Sequence, residues 1–325
     1  MIVYLIPFLL YVLSQFDLRY RGMFIFLISL SLFLTLALRD NIGYDYNNYT
    51  DIYYSYSLEK IELIPKYILD FSFSFKDHRY FFFIYSLSTI YFIYKSAIQS
   101  NNIYFLVLYI ALPGFFIESF TLIKQSLALS LVIYGYAMKE NKNKNYYFPL
   151  VFACLTHLTA LPFVLFFLTY NRFVSLRKTI VLSIIILIQF LVFALEYLSE
   201  YLPNINFYNG DESYGYKMFI FYLLFFLFFS KKLYKTNRDN FIIIILGLIL
   251  FFYTNQIYYV YNRVAYYFFI PFLFLGYKEL LKINKRALFT LILFVLFIIS
   301  LNLKTFPNGD HGSMIPYKTI LKHIF

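Results

Sequence analysis

Long apolar runs separated by short polar turns cover almost the whole chain. Each run has roughly 15 to 23 residues, which is about the length that crosses a hydrocarbon core as a helix. The runs lie at 2–16, 22–38, 80–97, 102–117, 120–138, 147–169, 179–198, 216–230, 241–257, 264–278 and 287–303. This pattern predicts an all-α integral membrane protein that forms one polytopic domain over residues 1–325.

The composition agrees with a membrane-embedded chain and excludes a soluble domain. Apolar residues make up 61% and charged residues 14% of the sequence, whereas soluble domains contain about 25% charged residues. The single cysteine, Cys154, excludes a disulfide framework. The net charge of +11 lies mainly in the short turns, so it indicates membrane orientation and no nucleic-acid partner is expected.

The positions of Lys and Arg predict the orientation, because basic loops are retained in the cytoplasm. Six basic turns hold 17 of the 28 Lys and Arg residues. They are 14–21, 98–101 with Lys95, 139–146, 170–178, 230–240 and 278–286. If residues 147–169 enter the membrane and return on the same side, all six basic turns face the cytoplasm. If these residues cross the membrane once, 11 of the 17 basic residues lie on the other face. We therefore predict about ten transmembrane helices, one re-entrant or broken element at 147–169, and both termini outside, including the tail 304–325.

A polar stretch at 39–79 interrupts the apolar pattern on the predicted outer side. Ionisable residues elsewhere in the apolar runs fall towards the same side, and such residues usually face a functional cavity because burying them in lipid is costly. The candidate site residues are Arg39, Gly43, Asp45, Tyr49, Lys124, Gln125, His157 and Arg263. Each also has a purely structural explanation, such as anchoring at the membrane interface for Arg39 and Arg263, or core hydrogen bonding for His157.

These residue types suit an anionic substrate embedded in the membrane. Arg and Lys bind diphosphate oxygens, and Asp45 or His157 is placed to deprotonate an attacking hydroxyl. The loop tyrosines either stack on sugar rings or anchor the chain at the interface. They are Tyr44, Tyr46, Tyr49, Tyr53, Tyr54 and Tyr56. Acids and histidines lack the spacing of metal ligands, so no metal or other cofactor is expected.

Four short motifs, in order, resemble the EpsG-like (Wzy-type) polysaccharide polymerases. They are Arg39-x3-Gly43-x-Asp45-x3-Tyr49, Lys124-Gln125-Ser126-Leu127-Ala128, Ala153-x3-His157-Leu158-Thr159-Ala160-Leu161 and Asn262-Arg263-x2-Tyr266. They span roughly residues 20 to 280. The departure is Lys124, where the family usually has Arg, so the charge is kept but the bidentate geometry is not.

The resemblance implies a glycosyltransferase on the outer face of the bacterial cytoplasmic membrane. It would join undecaprenyl-diphosphate-linked repeat units into O-antigen, capsule or exopolysaccharide, with Arg39, Lys124 and Arg263 on the diphosphate and His157 or Asp45 as the base. His157 is slightly favoured, since a desolvated imidazole stays neutral. A glycan ligase and a lipid-linked oligosaccharide flippase are the alternatives, although transporters usually show internal repeats. Candidate protein partners are a chain-length regulator and a flippase.

The charge distribution yields a direct test of orientation. A reporter that is active only in the cytoplasm should be on when it is fused at Ser175 and off when it is fused at Glu212, because the basic turn 170–178 is predicted to be inside. A periplasmic signal at Ser175 would contradict the re-entrant element and reverse the orientation of the C-terminal half.

Overall fold

A computed structural model of the protein describes residues 2–14, 18–43, 45–55, 62–172, 212–257 and 262–275, with positions 179, 183, 294, 295, 297 and 298. Within these residues the chain is helical and contains no β-strand, which confirms the predicted all-α class. Nearly all of the predicted runs 179–198 and 287–303, and the predicted external tail 304–325, lie outside the described residues.

The described residues divide into two units. In the first, up to Ala160, the helices are α1 (Ile2–Ser14), α2 (Arg21–Ala37), α3 (Tyr46–Ser55), α4 (Leu63–Phe73), α5 (His78–Ser100), α6 (Ile103–Ala111), α7 (Ile123–Glu140) and α8 (Tyr147–Thr156). In the second, within Leu161–Leu275, they are α9 (Leu161–Arg172), α10 (Glu212–Thr236), α11 (Arg238–Ile257), α12 (Asn262–Phe268) and α13 (Ile270–Leu273).

The core of the first unit is built around α5 and α7. Helix α5 packs against α2, α4 and α7, and α7 packs in turn against α8. Every residue of α6 is buried, and most of α7 is buried as well. Burial along nearly their whole length places α6 and α7 inside this unit.

Helix α5 is the helix that, within the described part of the chain, is long and apolar enough to cross a membrane. It has 23 residues, about 35 Å at 1.5 Å per residue. Helix α2 and the segments Leu5–Ser14 and Leu158–Tyr170 are apolar but shorter. The number of about ten transmembrane helices therefore stays a prediction.

The predicted run 102–117 differs from the structure. Helix α6 ends at Ala111, and residues 112–122 are buried but mostly irregular, with a 3₁₀ turn at Ile117–Phe120. Pro113 lies two residues after the end of α6, and proline is common there because it cannot continue the helix. The irregular backbone at 112–122 is enclosed by protein.

The predicted run 147–169 is broken near its middle. Helix α8 ends at Thr156, His157 is extended (φ −159°, ψ 124°), and α9 begins at Leu161 after a 3₁₀ turn. Helices α8 and α9 are therefore separated by a short non-α-helical segment at residues 157–160. Whether the chain returns to the side from which it entered stays a prediction.

The second unit depends on a close approach between α11 and the segment 262–273. A Cβ on Gly247 would lie 2.7 Å from the Cβ of Phe268 and 3.0 Å from the ring of Phe269. Phe269 also stacks on Tyr222 of α10, with ring centroids 4.0 Å apart. Glycine is therefore needed at position 247 for steric reasons.

We expect Gly247→Ala to lower the thermal unfolding midpoint in detergent, because overpacking a filled interface costs about 1–3 kcal/mol. Gly22→Ala is the matched control, since a Cβ on Gly22 meets nothing within 4 Å and alanine favours a helix by roughly 0.5–1 kcal/mol. An unchanged midpoint for Gly247→Ala would contradict the packing described for this unit.

Candidate functional site

Arg39 lies just beyond the end of α2 and is almost completely enclosed. Its side chain is 2% exposed, and Nη1 donates a hydrogen bond to the carbonyl oxygen of Ser119 at 3.0 Å. The guanidinium also lies over the rings of Phe82 and Phe120, at 5.0 and 5.6 Å from their centroids. Buried charge needs such partners, so Arg39 fastens the start of the polar stretch to the irregular segment that leads into α7.

Gly43 makes the second contact with the same segment. Its φ is +101°, in the region that favours glycine, and a Cβ there would overlap the carbonyl oxygen of Phe120. The backbone can therefore reach this carbonyl only with glycine at position 43. Gly43 therefore allows two backbone segments to come together.

The tyrosines of the polar stretch are arranged differently from the expectation. Tyr46, Tyr49 and Tyr53 lie on one side of α3, three and four residues apart, and all three are buried. Tyr46 stacks on Phe82 at 4.4 Å, and Tyr53 stacks on Phe73 at 4.6 Å. Their rings hold α3 against α4 and α5.

Tyr49 and Tyr54 have different surroundings. Tyr49 lies 6.2 Å from Phe81 of α5, and its role in substrate binding stays a prediction. Tyr54 is 67% exposed, and its hydroxyl lies 3.1 Å from Nδ1 of His78. Tyr44 and Tyr56 lie outside the described residues.

Asp45 begins the turn into α3 and is half-buried. Its backbone carbonyl accepts a hydrogen bond from the backbone N–H of Tyr49 at 3.0 Å. Its carboxylate lies 3.4 Å from the amide nitrogen of Asn48. Asp45 is therefore tied to the first turn of α3, on the same fastened stretch as Arg39 and Gly43.

Two of the predicted site residues contact Glu62, which was not itself among the residues predicted from the sequence. Glu62 Oε1 lies 2.7 Å from Nδ1 of His157, and Oε2 accepts a hydrogen bond from Nζ of Lys124 at 3.0 Å. Glu62 immediately precedes α4, Lys124 is in the first turn of α7, and His157 follows α8. We call these three residues the Glu62 cluster.

The contacts of the Glu62 cluster keep its carboxylate ionised. Partial burial alone would raise the pKa of Glu62, but hydrogen bonds from His157, from its own backbone N–H and from Lys124 outweigh this and lower the pKa from 4.5 to about 2. An ionised carboxylate only accepts hydrogen bonds. Nδ1 of His157 therefore carries a proton, and in the neutral imidazole the lone pair lies on Nε2.

The cluster is also partly open. The side chains of Glu62, Lys124 and His157 are 18%, 21% and 21% exposed. Fixed but partly accessible groups of this kind can bind an anion and accept a proton. Gln125 points to the inside, since it is 3% exposed. The adjacent residues Lys124 and Gln125 thus face different surroundings, as expected for consecutive residues on a helix.

Arg263 belongs to the second unit, where it is half-buried in α12. Its neighbour Asn262 is buried and accepts a hydrogen bond from Thr254 of α11 at 2.6 Å, which fixes the start of α12. The convergence of Arg263 with the candidate residues of the first unit stays a prediction. In the described ranges, no group of three or more His, Cys, Asp or Glu residues is placed to hold a metal ion.

Glu62 was missed because its local sequence has little to distinguish it. An acid next to a helix N-terminus is common, because negative charge is favoured there, and Glu62 lies in a stretch with several other acids. Its partners are 62 and 95 residues away. Only the packing of α4 against α8 makes the carboxylate a neighbour of His157.

The fold and the cluster together define a class of protein. It is an apolar, all-helical, membrane-associated protein that holds a carboxylate, an ammonium and an imidazole in contact. A comparison with protein families matches residues 22–319 to the EpsG family, so the chain belongs to that family. The family is associated with polysaccharide biosynthesis and with glycosyltransferase or polymerase activity. No curated protein and no solved structure matches the chain.

The lowered pKa of Glu62 predicts how stability depends on pH. A carboxyl group with a pKa of about 2 when folded and 4.5 as a reference stabilises the folded state above pH 4.5, and this contribution is lost as the pH falls towards 2. The unfolding midpoint of the natural protein should therefore exceed that of Glu62→Gln by a constant amount above pH 4.5. Below pH 4.5 the difference between the two unfolding midpoints should become smaller.

Glu140→Gln is the matched control, because Glu140 is a more exposed acid at the other end of α7, 3.7 Å from Lys139. Its midpoint should stay close to that of the natural protein at neutral pH. A difference for Glu62→Gln that persists unchanged down to pH 3 would contradict the assignment of the cluster.

Proposed function

We propose that the protein is a polysaccharide polymerase of the outer face of the bacterial cytoplasmic membrane. Its substrates are oligosaccharide repeat units linked to undecaprenyl diphosphate, and its product is O-antigen, capsule or exopolysaccharide. Membership of the EpsG family supports polymerase-like chemistry. The multi-pass topology, with about ten transmembrane helices and the polar stretch outside, rests on the distribution of basic residues.

One observation carries the proposal. Lys124 and His157 were each predicted as site residues from separate motifs, and both contact the same carboxylate of Glu62, at 3.0 and 2.7 Å. An ammonium and an imidazole are thereby held on neighbouring helices, with about one fifth of each side chain exposed. These are the two kinds of group that a transfer from a lipid diphosphate requires: one binds the anion, and the other accepts a proton.

The reaction follows from these groups. The oxygen of an acceptor hydroxyl attacks the anomeric carbon of the donor glycan, and Nε2 of His157 takes the hydroxyl proton. The bond between the anomeric carbon and the diphosphate oxygen breaks, and undecaprenyl diphosphate leaves with the electron pair. Lys124 and Arg39 are the cations of the first unit proposed to stabilise the charge that develops on the diphosphate. For Arg263 this role stays a prediction from the sequence resemblance.

Lys124 is the best supported of the three cations, because its ammonium is partly exposed beside His157. Arg39 is enclosed and bonded to Ser119, so its contribution includes holding the polar stretch in place. Asp45 is proposed to position the acceptor hydroxyl. Gln125 is enclosed beside Lys124, and its role in substrate binding stays a prediction from the sequence. Exposed Tyr54 is the ring best placed to lie against a sugar.

A deletion strain tests this function through the glycan profile on a gel. We expect the polymer ladder to disappear while single repeat units remain. The natural gene and the surface variant Glu140→Gln should restore the ladder, whereas His157→Asn should not, because an amide cannot take the proton. Removal of a general base costs about 10²–10⁴-fold in rate, which is enough to abolish visible polymer. Asp45→Asn should retain some activity.

The outcomes separate the alternatives. A complete ladder that stays on the lipid carrier would identify a ligase, and loss of all surface glycan with repeat units trapped inside would identify a flippase. An unchanged profile in the deletion strain would exclude both the polymerase and the ligase. If Asp45→Asn abolishes polymer while His157→Asn retains it, with both proteins present in the membrane, the base has been misassigned.

A further inference from the structure

Glu62 occupies the centre of the cluster, yet the reaction described above gives it no role of its own. We infer that Glu62 is a positioning residue, which holds His157 with its proton on Nδ1 and Nε2 ready to accept, and which keeps Lys124 beside it. This inference rests on the proposed function, since it concerns the same site. It adds a residue that lies outside the four motifs of the family resemblance.

The geometry of the first oxygen carries the argument. Oε1 lies 2.7 Å from Nδ1 of His157, a short distance that is typical of a charge-assisted hydrogen bond. The backbone is extended at His157, between α8 and the following 3₁₀ turn. A carboxylate on one ring nitrogen fixes both the ring orientation and the tautomer, and it stabilises the imidazolium that forms when Nε2 takes a proton.

The second oxygen explains why one carboxylate serves two residues. An ammonium close to an imidazole disfavours the imidazolium that forms during the reaction, because like charges repel. Glu62 lies between the two, with Oε2 3.0 Å from Nζ of Lys124, so its negative charge offsets this repulsion. The enzyme can therefore keep a cation for the diphosphate and a base for the acceptor in one small site.

Glu62 is held at the start of a packed helix, α4. The residue is the N-cap of α4, with φ −61° and ψ 161°, and its backbone carbonyl accepts a hydrogen bond from Lys66. Helix α4 packs on α5 and α8. On the α5 side, the buried Tyr85 is within electrostatic range of Glu62 and of Tyr49. His157 and Lys124 are the ionisable groups that the described part of the chain places in hydrogen-bond contact with the carboxylate, with Tyr85 of α5 in its wider neighbourhood.

The first experiment measures the tautomer directly. In the full protein in lipid nanodiscs, with ¹⁵N-labelled histidine, the ring nitrogen shifts distinguish a proton on Nδ1 from one on Nε2. Only four histidines contribute, and His157→Asn identifies the signal of His157. At neutral pH we expect the Nδ1–H form in the natural protein and in Glu140→Gln. In Glu62→Gln we expect loss of that preference.

The second experiment measures turnover with purified lipid-linked repeat units in the same nanodiscs. Glu62→Gln should lower kcat by about 10²–10⁴-fold, the range expected when a general base loses its orientation. KM should change much less than kcat, because Lys124 remains. Glu62→Asp keeps the charge and should recover part of kcat and part of the Nδ1–H signal. It also serves as the test if Glu62→Gln does not fold.

The two measurements distinguish a failure of the positioning role from a failure of the proposed function. An unchanged tautomer in Glu62→Gln, or a kcat within about threefold of the natural value, which is less than 1 kcal/mol, overturns the positioning role even if the protein is a polymerase. Absence of polymerisation by the natural protein overturns the proposed function, and the tautomer measurement still decides whether Glu62 orients His157. Equal losses in kcat and in folded protein for both Glu62 variants would show a structural role only.

Discussion

Three helices of the first unit meet at one carboxylate, and the candidate site depends on that contact. Glu62 accepts hydrogen bonds at the start of α4 from Lys124 in α7 and from His157 after α8. A charged group in an apolar surrounding is tolerated only when it is paired and hydrogen-bonded. The carboxylate of Glu62 accepts the hydrogen bonds that Lys124 and His157 donate. The cluster therefore stabilises the packing and presents reactive groups at the same place.

The chain places its irregular backbone where this cluster is built. Residues 112–122 lead into the helix that carries Lys124, and the helix break at His157 exposes the imidazole between two helical segments. Non-helical backbone in an apolar surrounding must be enclosed or must line a polar cavity. Arg39 and Gly43 help to enclose residues 112–122. Arg39 donates a hydrogen bond to Ser119, and the backbone at Gly43 lies close to Phe120. The contacts of Arg39 and Gly43 therefore help to position the segment that leads into α7.

The polar stretch also differs from a simple external loop. It folds into α3 and α4, and the tyrosines on one side of α3 pack against α5 and α4. The result is an ordered surface from which Tyr54 projects and beneath which Tyr46 and Tyr53 are buried. An aromatic side of a short helix thus brings Glu62, which follows α3 in the sequence, towards the rest of the first unit.

The sequence by itself determined the class of the protein and most of the residues of interest. Runs of apolar residues are enough to predict helices, since a backbone in lipid must satisfy its own hydrogen bonds, and isolated charges in such runs are costly enough to mark Lys124 and His157. Tyr46, Tyr49 and Tyr53 are three and four residues apart, which is the spacing of one face of a helix. This face is the buried side of α3. Only the tertiary structure decided that Glu62 contacts Lys124 and His157. These two residues lie 62 and 95 positions after Glu62 in the sequence, and local periodicity does not show which helices become neighbours. The burial of Arg39 against Ser119 and Phe120 likewise arises from packing between distant segments, which depends on shape and not on the polarity of the residue itself.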